Sequence, residues 1–144
     1  MEIGATVTIN APIKKVWDIF TGLTCWMNWN TIVRDVYSNE KIITNGSDIK
    51  CTFRPFFFPI KVEIKVEEVR PYERIVWSAQ KRGLSARHEF LFKSYESKVV
   101  VRSKETFTGL LTKGSGFLLP KRRMKNLAAA FLKDLKRAAE NEKA

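Results

Sequence analysis

Histidine occurs once and cysteine twice in these 144 residues. One imidazole and two thiols, Cys25 and Cys51, with no CxxC pair, leave no zinc site of ordinary composition, so neither a metal nor a cofactor is expected. Both thiols are expected to be buried and reduced. No apolar run approaches the ~20 residues of a membrane-crossing helix. The N-terminus reads as an immediate strand rather than a charged-then-apolar leader, and twin-arginine and lipoprotein signals are lacking. A soluble, cytoplasmic chain is the expectation. Internal repeats, low-complexity stretches and linkers are missing as well, which points to a single domain over residues 1–144.

Acidic residues are scarce relative to basic ones: 15 Asp+Glu against 26 Lys+Arg leave a net charge of +11. Residues 110–144 hold nine basic and three acidic side chains, and so carry +6 of it. Such an excess favours anionic partners, whether nucleic acid, a phospholipid surface or an acidic small molecule. On the strands, basic and acidic residues alternate and no reading motif appears, which argues against nucleic acid.

Aromatic residues, in contrast, are plentiful at 12%, with ten Phe and four Trp. "IGATVTIN" alternates as a half-buried strand. "APIKKVWDIF" then changes period, with Ile13, Val16, Trp17 and Phe20 on one helical face, Pro12 in its first turn and Gly22 at its end. "LTCWMNWN" reads as a second helical turn carrying Trp26 and Trp29. Six strands follow: "TIVRDVYS", "IKCTFR", "KVEIKVEEV", "RIVWSAQ", "SARHEFLFK" and "KVVVRSKETF". The last segment is a long helix from Pro120 with Met124, Leu127, Phe131, Leu135 and Ala138 along one stripe. This order predicts an α+β fold: a strongly curved, antiparallel, seven-stranded sheet, two short helices after the first strand, and a long C-terminal helix across the concave face. Side chains need not fill the space beneath such a helix.

Successive hairpin turns fall at alternate ends of a meander, so "RPFFFPI", "QKRGLS" and "GLLTKGSGFLLPKRR" share one end. That end collects Phe56, Phe57, Phe58 and Phe117 together with Arg54, Arg82, Lys121, Arg122 and Arg123. Apolar tips ringed by cations suit the mouth of a pocket for an amphipathic anion, or an anionic membrane surface. The alternative is that the rings fold back into the core.

Centring one hairpin on Arg82-Gly83 sets Trp77 opposite His88. Centring the next between Tyr95 and Glu96 sets His88 opposite Ser103, with Glu105 diagonal to it. Trp77, His88, Phe90, Phe92, Ser103, Glu105 and Phe107 then share the concave face, with Phe53 from an earlier strand. His88 and Glu105 form a candidate acid–base pair, or a pair that orients a ligand. Ser103 lies mid-strand with no nucleophile elbow and no evident oxyanion donors, which argues against covalent catalysis.

The stretches "INAPIKKVWDIF", "WMNWN", "PYERIVWSAQ", "RHEFLF" and "SKETFTGLL", in that order over nearly the whole chain, resemble the SRPBCC superfamily, the START/Bet v 1-like group that includes polyketide cyclase/dehydrase and lipid-transport proteins. The resemblance implies a helix-grip fold with a hydrophobic cavity between sheet and C-terminal helix, opening among the phenylalanine-rich loops. Two departures stand out: Thr31, where the family pattern "WNP" often has proline, and the "PFFFP" loop. Binding or transport of a small hydrophobic, amphipathic anionic ligand is the leading expectation. A cyclase/aromatase-like enzyme using His88 and Glu105 is one alternative, and a peripheral membrane lipid-binding protein is another. The ligand contacts would come from the aromatic and helical residues named above, with Arg54, Arg82, Lys121, Arg122 and Arg123 meeting an anionic head.

Overall fold

The computed structural model describes residues 1–53, 59–81, 83–109 and 121–141. Its strands are β1 (Glu2–Ile9), β2 (Arg34–Tyr37), β3 (Asp48–Phe53), β4 (Ile60–Arg70), β5 (Arg74–Lys81), β6 (Leu84–Tyr95) and β7 (Lys98–Gly109). Its helices are α1 (Ile13–Thr21), α2 (Trp26–Trp29) and α3 (Lys121–Asn141), with a 3₁₀ turn at Leu23–Cys25 between the first two. All seven strands form one antiparallel sheet in the order β1-β7-β6-β5-β4-β3-β2. Bulges between Val66 and Glu68 in β4, and between Arg34 and Tyr37 in β2, add the local bend that curvature requires. The helix-grip order expected above is the order observed.

Pro12, fixed at φ −68°, opens α1, and Gly22 closes it by donating its N–H to the Asp18 carbonyl at 3.1 Å. Val16, Trp17 and Phe20 are buried, as their spacing predicts. Phe20 is the hub of the main core. Its ring lies 4.8 Å from Phe90, 5.4 Å from Phe92 and 6.0 Å from Phe131, all edge-on, and stacks on Trp77 at 6.0 Å. A second, smaller cluster of Ile3, Phe107 and Met124 lies apart from it.

Three local expectations are corrected. The strand expected from Thr31 begins only at Arg34, because the Asn30 side chain accepts the N–H groups of Ile32 (3.1 Å) and Val33 (2.7 Å) and removes both from the ladder. The β6–β7 register differs by two residues: His88 faces Glu105, and Ser103 faces Phe90. The turn is the two-residue Glu96-Ser97, with Glu96 at φ 52°, between paired Tyr95 and Lys98. A shift of two keeps every side chain on its expected face. Cys25 is exposed rather than buried, in the turn before Trp26, whereas Cys51 is buried on β3.

Helix α3 buries Met124, Phe131, Leu132, Asp134, Leu135 and Ala139, while Ala138 is only half-buried. Asp134 is a charged residue on that face because Thr31 meets it: the Thr31 N–H (2.8 Å) and hydroxyl (2.9 Å) both donate to its Oδ2. Further along the same C-terminal part of α3, Lys136 donates to the Thr8 carbonyl at 2.7 Å and the Asn10 N–H donates to Glu140 at 2.7 Å. Those contacts fix the helix over the sheet at two points.

Candidate functional site

The main core and the small cluster do not meet everywhere. Between them lies a cavity of about 360 Å³, within the range of small-molecule pockets. One wall is aromatic, built from Trp26, Trp77, Phe90 and Phe131 of the main core; the other comes from Phe53, Phe107, Met124 and Leu127 around the small cluster. The space exists because three positions on these faces carry only a methyl group. Ala79 on β5, Ala86 on β6 and Ala128 on α3 all line it, where the next lining residues on the same elements include Trp77, His88 and Phe131. Phe53, Ile60, Lys81, Leu84 and Met124 carry the lining to the strand ends that flank the undescribed connections. Lys81 is held there, its ammonium donating to the Lys61 carbonyl at 2.8 Å.

His88 and Glu105 are the titratable polar groups in the middle of this lining, placed side by side by the β6–β7 register. The imidazole stacks on Phe90 at 4.1 Å and meets Trp77 edge-on at 5.7 Å. Its Nε2 is 2.5 Å from the Ser103 hydroxyl, and its Nδ1 is 3.6 Å from Glu105 Oε2. Burial pushes the imidazole down to about 3 and the Glu105 carboxyl up to about 7. A neutral ring at that longer distance is not a salt-bridge partner, so Glu105 keeps hydrogen-bonding capacity for something else. Cys51 also lines the cavity, and burial pushes its thiol up to about 12, so it stays protonated.

The structure thus gathers Trp26, Phe53, Trp77, His88, Phe90, Glu105, Phe107, Met124, Leu127 and Phe131 around one space. Ser103, 2% exposed, lies behind His88 and does not line it. Trp29 packs against Trp26 and Phe131 instead, at 6.3 and 5.4 Å, and its buried Nε1–H has no partner among the described residues. Lys121 and Arg122 are exposed and line nothing here, whereas Arg123 borders a second hollow. Phe56, Phe57, Phe58, Phe117, Arg54, Arg82 and Pro120 lie outside the described residues. Residue-pattern reasoning passed over the alanines, although the strand parity of Ala79 and Ala86 matches that of Trp77 and His88. Small residues do not announce themselves as the makers of a gap.

Among the described residues no helix is long and apolar enough to cross a membrane. No curated protein matches the chain. Solved structures do. Hypothetical protein jhp0584 from Helicobacter pylori is 18% identical, with a TM-score of 0.79 over 97% of this chain and 88% of that one. TTHA0849 from Thermus thermophilus is 14% identical, with a TM-score of 0.80 over 96% and 97%. The di-domain ARO/CYC protein BexL of the BE-7585A biosynthetic pathway is 19% identical, with a TM-score of 0.71 over 99% of this chain and 51% of that one. These likenesses establish the fold. The model of the polyketide cyclase/dehydrase and lipid transport family matches residues 1–140, and the chain belongs to that family.

Proposed function

We propose that this protein binds and carries a small hydrophobic ligand in the cavity between sheet and α3, without covalent catalysis. The observation behind the reading is the cavity itself: about 360 Å³ walled by two separate apolar clusters. A ligand burying ~300 Å² of apolar surface there would gain about 7–8 kcal/mol before ordering costs. The placement of Ser103 behind His88, out of the lining, argues against a serine nucleophile. Loading from an anionic membrane through the connection that holds Phe56–Phe58 fits the same role. Native mass spectrometry of the protein purified from its expression host, followed by denaturation and identification of any released molecule, tests it. A co-purifying lipid or aromatic acid is the expected result. A clean apo mass together with no uptake of the neutral probe N-phenyl-1-naphthylamine would overturn it.

A second reading rests on Glu105 and His88. A carboxyl titrating near 7 beside a neutral imidazole, both in the lining, is an arrangement suited to moving a proton on a bound poly-β-carbonyl substrate. It requires turnover of such a substrate with a pH profile centred near neutrality, lost in Glu105→Gln while binding persists. Binding without turnover would leave the carrier reading alone.

A further inference from the structure

A second hollow, of about 530 Å³, opens at the free edge of the sheet. Thr31, Arg34 and Asp35 form one side, the β3 end and β4 start another, and Arg123 and Leu127 of α3 the third. Ile32, Phe53 and Leu127 line both this hollow and the apolar cavity, so the two spaces abut at these side chains, which a molecule reaching from one to the other has to part. Their characters are opposite. Among the described residues the hollow holds Arg34, Lys61 and Arg123 against one carboxylate, Asp35, a local balance of +2. The cavity has, among the described residues, only Lys81 as a cation, at its outer end, and Glu105 in its middle.

Two of these cations, Arg34 and Lys61, are placed by backbone geometry rather than by ion pairs of their own. Arg34 stands at the bulged start of β2, its guanidinium donating to the Met27 and Asn30 carbonyls at 3.3 and 3.4 Å. Lys61 is exposed on β4 opposite Thr52, and among the described residues neither it nor Arg34 makes a salt bridge. An acidic head group drawn into the cavity would lose its water between apolar walls. In the hollow the same group keeps its water and meets three cations.

We propose that the ligand is an amphiphile with an anionic head, carboxylate or phosphate, and that its tail fills the cavity while its head rests in the hollow of Arg34, Lys61 and Arg123. The inference rests on the cavity reading above and assigns the head to edge-strand residues. Displacement of N-phenyl-1-naphthylamine by hexadecan-1-ol, hexadecanoate and hexadecyl phosphate at low salt tests it. Both anions are expected to bind roughly tenfold more tightly than the alcohol, a preference that two or three exposed cations supply. That ratio should collapse toward one both in the Arg34→Ser/Lys61→Ser protein and in Lys61→Glu, since each change removes the local excess of +2. A stronger effect on the phosphate than on hexadecanoate would identify a phosphate head, and equal effects a carboxylate-tolerant one. Parity of acid and alcohol in the unaltered protein, or a preference that survives both variants, would overturn the head-group assignment alone. Failure of the naphthylamine and the alcohol to bind at all would overturn the cavity reading and this one with it.

Discussion

Glu105 and His88 are both held in their neutral forms by burial, and the consequences for stability run in opposite directions. Folded Glu105 keeps its proton up to about pH 7 rather than 4.5, so the stability it contributes is full below 4.5 and is lost as pH rises through about 7. Folded His88 resists protonation down to about 3 rather than 6.5, so its contribution is full above 6.5 and is lost as pH falls toward about 3. Between 4.5 and 6.5 the two slopes cancel, leaving a plateau with a falling limb on each side. In Glu105→Gln the alkaline limb should vanish: from pH 5.5 to pH 8 the unaltered protein should lose roughly 1–3 kcal/mol more than the variant. Urea midpoints at the two pH values measure this, and equal losses would mean that Glu105 is solvated. That these two residues share a face was legible from strand alternation alone. Which of Glu105 and Ser103 stood opposite His88 was not, because register depends on whether Glu96 adopts a positive φ, and nothing in "SYESK" announces that.

The elements are held to one another by a few polar contacts that hydrophobic periodicity does not reveal. Asp134 interrupts the apolar face of α3 and reads as a solvated charge until Thr31 is seen to bring it two donors. A proline at position 31, frequent in the resembling family pattern, would supply neither donor, so Thr31 and Asp134 belong together as a unit. Thr31→Val, which keeps the N–H, should cost about 1–2 kcal/mol in urea unfolding, and Thr31→Pro more; Asp134→Ala combined with Thr31→Val should cost less than the sum of the single changes. Additive costs would show that the two side chains act separately. At the end of β7, Gly109 sits at φ 122°, and a methyl group there would collide with the Gly83 carbonyl oxygen. Gly109→Ala should therefore destabilise the protein by more than about 2 kcal/mol, or part β7 from the β5–β6 turn. A melting temperature unchanged from that of the unaltered protein would contradict the close approach. The strand and helix order was readable throughout, since each element carries its own period. The bulges and caps that set where elements stop depend on single side chains such as Asn30, and were not.

At the scale of the molecule, three alanines decide whether there is a cavity. Enlarging Ala128 to Leu or Phe fills space that nothing among the described residues occupies, so the apo protein should gain thermal stability while uptake of N-phenyl-1-naphthylamine falls. Loss of stability without loss of uptake would place position 128 in a packed region instead. Charge acts at the same scale. An excess of +11 is legible from composition, but only the folded chain shows that Arg34 and Lys61, far apart in sequence, border one hollow.

The separation of the small cluster of Ile3, Phe107 and Met124 from the main core has a dynamic corollary. A protein whose apolar interior is divided by a gap has two units of unequal local stability, and the smaller one opens first. Backbone amides around Met124 and Phe107 should exchange with deuterium well before those around Phe20 and Phe90. A bound tail would bridge the gap and make one cooperative unit of two, so protection of the first turns of α3 should rise toward that of the aromatic core. Cargo would then be a structural component of the interior, and its release would begin as a partial unfolding of one end of the molecule.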